Sequence, residues 1–238
     1  MICGVNCDAC GHVSFETCMN CDGCVMPKEL RRSLLGGFAR ARSRTGIHVS
    51  MLLGCLTHSY LNAKYGTYVK LEDIYHMSRG NAIHRKLQWS YPKKEIAVSH
   101  DFDGVKVWGT IDALGEDGWI NEFKTCTWLP KRPYSHHIKQ ISAYDTIQNL
   151  EGTAVPGCRL IYVSMQGIRT FDVKPLDMRA WITRRAKLLA DSLQKEVCPP
   201  SELEPDEKWR SKFCPFKILC KTHCDSTSEI SVQSRMMT

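Results

Sequence analysis

Three side chains near the middle of the chain could do hydrolytic chemistry together. Asp112 is followed ten residues later by Glu122, and Lys124 stands two residues beyond. Two carboxylates supply the hard oxygen ligands that Mg²⁺ or Mn²⁺ prefers, and an ammonium beside them can serve a phosphate or an attacking water. A second set is sulfur. Of 13 cysteines, six lie in the first 24 residues and four lie between Cys198 and Cys224, which leaves Cys55, Cys126 and Cys158 standing alone. The opening Met-Ile-Cys-Gly-Val-Asn-Cys does not read as a secretory leader, so thiols at this density point to metal ligation ahead of a disulfide framework.

The carboxylates need a backbone that brings them together. The stretches VKVWGTID before Asp112 and WINEFK around Glu122 mix apolar and polar residues as strands do, with a Gly-Glu-Asp-Gly turn at 115–118 between them. A β-hairpin follows. Glu122 and Lys124 then share one face, and the hairpin brings Asp112 opposite them. Taken alone, such a trio is more often solvated surface than a site. Two helices raise its weight: residues 134–150, on which Gln140 and Tyr144 lie one turn apart, and the segment around Gly80 that carries His84. Around them the pattern predicts a core helix over 49–63 capped by Ser50, and two short helices over 70–89 meeting near Gly80. It also predicts strands at 95–99, 159–164 and 169–173 and a helix over 176–197. Helices with a mixed sheet make an α/β class.

The ordered set G-x-x-x-H ending at His84, G-x-x-D ending at Asp112, E-x-K from Glu122 to Lys124 and Q-x-x-x-Y from Gln140 to Tyr144 resembles the RecB-like branch of the PD-(D/E)XK nucleases, over roughly residues 47–224. The resemblance implies a restriction-endonuclease-like core and hydrolysis of DNA phosphodiesters. Asp112 and Glu122 would hold the divalent ion, with the backbone carbonyl of Phe123 joining, and His84 would be a further ligand or orient water. Lys124 would act on the attacking water or the developing charge, with Gln140 and Tyr144 orienting it. Within this branch, the size, the four cysteines and the lack of a helicase phosphate loop resemble the CRISPR-associated Cas exonucleases of the RecB type and their archaeal-virus relatives. That likeness implies DNA single strands or strand ends as substrate, and CRISPR integration proteins as partners. In the iron–sulfur subgroup, one cysteine of the first core helix joins three near the C-terminus around a 4Fe–4S cluster. Cys55, Cys214 and Cys220 match that pattern, but its remaining position is Ser211 here. The fourth thiolate then falls to Cys224, preferred for its nearness to Cys220, or to Cys198. Zinc in the same cysteines is the alternative.

The first 27 residues lie outside this resemblance. Their pattern, C-x3-C-x2-C-x7-C-x2-C-x2-C, contains paired knuckles suited to a tetrahedral thiolate zinc site. Cys7, Cys10, Cys21 and Cys24 make the pairing with the longer loop, and which four of the six bind stays open. So short a segment cannot build a core of its own, so a metal would have to supply its folding energy. Residues 28–48 read as a basic linker or arm, with Arg40, Arg42 and Arg44 as candidate phosphate contacts. The nuclease domain spans 49–224, and residues 225–238 read as a polar, disordered tail. A formal net charge of +7 favours a polyanionic partner, and no run is apolar enough for a membrane span, which fits a cytoplasmic location. Two other readings of the same chain are a catalytically silent DNA-binding adaptor and a redox-responsive iron–sulfur protein.

Overall fold

The computed structural model describes residues 2–7, 10–24, 26–39, 46–201 and 210–224. The chain opens with two strands, β1 (Ile2–Cys7) and β2 (Gly11–Ser14), paired antiparallel with Val5 opposite Val13. Ser14 caps the short helix α1 (Phe15–Asn20), its Oγ accepting from the Thr17 backbone N–H at 3.1 Å. Helix α2 (Lys28–Ala39) follows, so the first part of the expected linker is helical. Its apolar stripe explains this: Leu35 is fully buried, and Leu34 and Phe38 pack with it against Val5, Phe15 and Cys18. The Cys-rich segment therefore does share in a small core, by borrowing from α2. Arg40, Arg42 and Arg44 lie outside the described residues, as does the tail from residue 225.

The expected helix over 49–63 is broken. After the two-residue strand β3 (Ile47–His48), α3 (Val49–Leu52) ends and α4 (Leu56–Tyr65) begins. The cap of α3 is His48, whose Nδ1 accepts from the Ser50 N–H at 3.1 Å, and not Ser50 itself. The break is held from far along the chain. The buried Arg185 guanidinium donates to the Leu52 carbonyl at 2.8 Å and to the Gly54 carbonyl, taking acceptors that helix continuation would have used. Cys55 is left at the N-cap of α4.

Strand β4 (Thr67–Lys70) runs parallel to β1 and completes a three-stranded sheet in the order β2-β1-β4. It leads into α5 (Leu71–Leu87), a single helix where two were expected. Gly80 does not break it. It marks a close approach instead, since a Cβ there would lie 3.2 Å from Thr125 Oγ1. Ile74 of the same helix is fully buried in the N-terminal cluster, so α5 belongs to both cores.

The second sheet has six strands. β5 (Lys93–Phe102) and β6 (Val105–Leu114) form a long antiparallel hairpin. It turns at Asp103-Gly104, where both residues have positive φ, 53° and 86°, as a tight primed turn requires. β7 (Ile120–Thr125) returns beside β6. After α6 (Ser135–Leu150) come β8 (Cys158–Ser164), parallel to β7, and β9 (Gly167–Val173), antiparallel to β8. α7 (Arg179–Lys195) and α8 (Lys217–Cys224) close the described chain. The sheet order is β3-β6-β7-β8-β9, with β5 along the other edge of β6. Successive residues of β8 face opposite sides. Leu160 and Tyr162 join the large core under α3, α4, α6 and α7, whereas Ile161 joins Phe123 and Ala113 against the end of α5. This is the mixed α/β architecture, sheet between helices, that the sequence predicts for a restriction-endonuclease-like core with a Cys-rich N-terminal extension. No helix among the described residues is long and apolar enough to cross a membrane.

Candidate active site

β6 and β7 pair only at their turn-proximal ends, Leu114 with Ile120 and Ala113 with Asn121. Continuing that register by one residue sets Asp112 across from Glu122, but there the strands part. The Phe123 N–H, which has no ladder partner on β6, donates instead to Asp112 Oδ2 at 2.9 Å. The split thus turns a backbone donor into the clamp that orients a carboxylate. On the other side of Asp112 stands His84 of α5, its Nδ1 3.5 Å from the same Oδ2.

Glu122 and Lys124 follow the strand alternation and face α6. Lys124 Nζ donates to Glu122 Oε1 at 2.8 Å and to Gln140 Oε1 at 2.7 Å, and Gln140 Nε2 donates to the Tyr144 hydroxyl at 2.9 Å. Gln140 and Tyr144 are one turn apart on α6, so a single helix face fixes the ammonium. α6 is itself pinned at its start, where the Tyr162 hydroxyl accepts from the Tyr134 N–H at 3.1 Å and pairs with His137 Nδ1 at 2.8 Å. Tyr144 is 1% exposed, and burial drives its phenol far above the ordinary range, so it acts as a neutral support. Its ring lies against Gly109, where an added Cβ would fall 2.5 Å from Tyr144 Cε1. Gly109→Ala should therefore cost about 1–3 kcal/mol by overpacking and displace the Tyr144–Gln140–Lys124 chain. Chemical denaturation measures the first effect.

The two carboxylates differ in environment. Glu122 is 2% exposed, and its Oε2 is buried with no hydrogen-bond partner. Burial pushes its carboxyl up to about 7, against the opposing pull of the Lys124 ammonium and with a further push from Asp112. A buried carboxylate oxygen left without a donor, beside a second carboxylate and an imidazole, fits a divalent cation as its missing partner. Among the described residues no three His, Cys, Asp or Glu side chains already close on one point as a finished metal site. His84, Asp112, Glu122 and the backbone of Phe123 are the residues that would hold such an ion.

Asp112 and His84 open onto a cleft of about 980 Å³, with Glu122 buried behind them. Its walls include Arg79, Asn81 and Arg85 of α5, Glu95 of β5, and Leu34 and Phe38 of α2. The sequence reading did not single out these residues. One signal could have found Arg79 and Arg85: both lie within a turn or so of His84 on one helix.

The cysteines separate into two places. Cys55, Cys214 and Cys220 line one cavity of about 440 Å³ with His58, Ser211 and Arg210. Cys214 Sγ stands 3.5 Å from His58 Nδ1, and Cys55 Sγ 3.4 Å from Ser201 Oγ. Burial pushes the Cys214 thiol up, and the neighbouring Cys55 adds to the rise. Cys198 does not line this cavity and aims its sulfur at the Pro199 carbonyl, 3.7 Å away. Cys224 ends α8, and its side chain lies outside what is described. Cys7, Cys10, Cys21 and Cys24 line a separate cavity in the N-terminal unit. Cys126 and Cys158, expected as structural thiols, are partly and fully buried.

The chain matches no protein-family model and no curated protein. Among solved structures it is similar to the crystal structure of SSO0001, with a TM-score of 0.60 and 20% identity over 82% of this chain and 95% of that one. It is also similar to the alkaline exonuclease LHK-Exo from Laribacter hongkongensis, with a TM-score of 0.43 and 14% identity over 63% of this chain and 89% of that one. At such identity the likeness to SSO0001 is one of fold, and it extends over nearly the whole of that chain.

Proposed function

We propose that this protein is a divalent-metal-dependent deoxyribonuclease that hydrolyses DNA phosphodiesters at the Asp112–Glu122–Lys124 cluster, acting as an exonuclease on single strands or strand ends. The observation that carries the reading is the orphaned, buried Glu122 Oε2 next to Asp112, with a hydrogen-bonded lysine on the same strand. When bound, Mg²⁺ or Mn²⁺ would neutralise charge at the scissile phosphate and acidify water. The protein's own part is positional. Asp112 is held by the Phe123 N–H, Glu122 by Lys124, and Lys124 by Gln140 on Tyr144. Lys124 carries its protons at Nζ beside the Glu122 carboxylate, and in this proposal they meet phosphate oxygens of the bound strand. Arg79 and Arg85 supply sequence-independent phosphate contacts along the cleft wall. Arg40, Arg42 and Arg44 add to them in this proposal as the arm.

The same reading assigns a 4Fe–4S cluster to the cavity of Cys55, Cys214 and Cys220, with Cys224 as fourth ligand. The fit rests on three thiols from opposite ends of the domain lining one cavity. A place in CRISPR adaptation, with integration proteins as partners, follows from the resemblance of the sequence motifs.

Cleavage of an end-labelled single-stranded oligonucleotide in Mn²⁺, abolished by chelator, tests the proposal. Full-length product after incubation with fresh protein and Mn²⁺ would overturn it. The buried glutamate adds a pH signature. Metal binding needs the carboxylate, so Mn²⁺ affinity should fall by up to about tenfold per unit as pH drops below about 7, and level off above it. In the metal-free protein the sign is opposite. A carboxyl raised from 4.5 to about 7 in the fold costs stability as pH rises through that window. Thermal unfolding with and without Mn²⁺ between pH 5 and pH 8 would read both trends, at ordinary assay pH values.

A further inference from the structure

The N-terminal cavity of about 390 Å³ is lined by residues of β1, β2, α1, α2 and the segment between the two helices. Cys7, Cys10, Cys21 and Cys24 line it, and all are free thiols. Cys3 does not line it and is exposed, whereas Cys18 also lines it but is 4% exposed and packed into the small hydrophobic cluster with Val5 and Phe15. The fold thus excludes Cys3 by position, and the apolar packing of Cys18 favours the other four as ligands. Cys10 Sγ and Cys21 Sγ stand 3.8 Å apart. Two thiolates on one tetrahedral zinc, each at ~2.3 Å, are separated by about that distance.

A second observation comes from Arg31 on α2. It is 2% exposed and lines the same cavity. Its Nη2 donates to the Cys21 carbonyl, while the buried Nε and Nη1 make no hydrogen bond of normal geometry and the guanidinium interacts with the Cys24 and Cys21 thiols. A buried guanidinium needs an anion. The acid that shares this cavity's lining, Asp22, has a side chain 92% exposed and sits 3.5 Å from the Lys28 ammonium. The anion that fits is a tetrathiolate metal centre, whose net charge of two minus Arg31 would halve by its single positive charge and N–H donation to sulfur.

We propose that Cys7, Cys10, Cys21 and Cys24 hold one zinc ion as thiolates, with Arg31 as the charge-compensating donor to their sulfurs. The site ties the Cys-rich turn to α2, and α2 also presents Leu34 and Phe38 to the cleft beside His84 and Asp112. Zinc therefore anchors one wall of that cleft without touching the reacting atoms. This inference stands apart from the nuclease reading, because it rests on other residues.

The test uses the full chain, purified reduced and without chelator, with zinc quantified by mass spectrometry and thiols mapped by alkylation. One zinc per chain is expected, with Cys7, Cys10, Cys21 and Cys24 protected until the zinc is displaced. Replacement by Co²⁺ should give the charge-transfer and d–d bands of a tetrahedral tetrathiolate. Cys3→Ser should keep the zinc, and the double variant Cys10→Ser with Cys21→Ser should lose it. Zinc-free wild-type protein, protection confined to other cysteines, or full zinc in the double variant would each overturn the proposal. The alkylation map needs no substitution, so a variant that fails to fold does not blunt the test.

Discussion

Lys124→Ala should lower the cleavage rate by at least about 10²–10³-fold while leaving Mn²⁺ binding in place. The lysine is the one member of the cluster that cannot ligate a cation, so its loss separates chemistry from metal capture. Its ammonium is held by two acceptors, Glu122 at 2.8 Å and Gln140 at 2.7 Å, so it is fixed before any substrate arrives. Such a preset donor contributes most to a transition state that gains charge. Asp112→Ala and Glu122→Ala should behave differently, losing both Mn²⁺ binding and cleavage. None of the three should abolish DNA binding, which the cleft arginines and the net charge of +7 sustain. Rapid-quench assays beside Mn²⁺ titration and filter binding on the same samples resolve these classes. Wild-type cleavage by Lys124→Ala would remove the E-x-K strand from the mechanism.

The second large effect belongs to Cys55. It sits at the N-cap of α4, and the cavity it shares with Cys214 and Cys220 brings together residues about 160 apart in sequence. A cluster there would close a long loop, which at the scale of other cross-links of that span is worth on the order of 5 kcal/mol. Cys55→Ser should bleach the brown colour of anaerobically purified protein, release its iron and lower the unfolding free energy by about that amount. Cys126→Ser should keep the colour, since that sulfur faces the Val163 carbonyl at 3.7 Å and not the cavity. Iron-free, colourless wild-type protein would end the cluster assignment.

The hairpin that carries Asp112 and Glu122 was legible in the sequence because everything that forms it is local. Alternation along β6 and β7, the Gly-Glu-Asp-Gly turn and the one-turn spacing of Gln140 and Tyr144 lie within a few dozen residues. What could not be read was set by distant partners. The helix expected over 49–63 breaks because Arg185, more than 130 residues later, takes the carbonyls of Leu52 and Gly54. α5 runs through Gly80 because that glycine fits it against Thr125, not because it needs a junction. The Cys-rich segment looked too short for any core, yet β4 pairs with β1, and Leu35 and Ile74 fill the space beneath. The parting of β6 and β7, which gives Asp112 its backbone donor, has no signature in the residue pattern.

One comparison bears most directly on the central claim. Mn²⁺ would be titrated calorimetrically into wild-type protein and Glu122→Gln at pH 8, and the same samples assayed on a labelled single strand. The substitution keeps the shape of the side chain and removes the charge that an ion at the orphaned Oε2 requires. The wild-type protein should bind Mn²⁺ and degrade the strand, and Glu122→Gln should do neither while staying folded. Equal Mn²⁺ binding and equal cleavage by the two proteins would contradict the account.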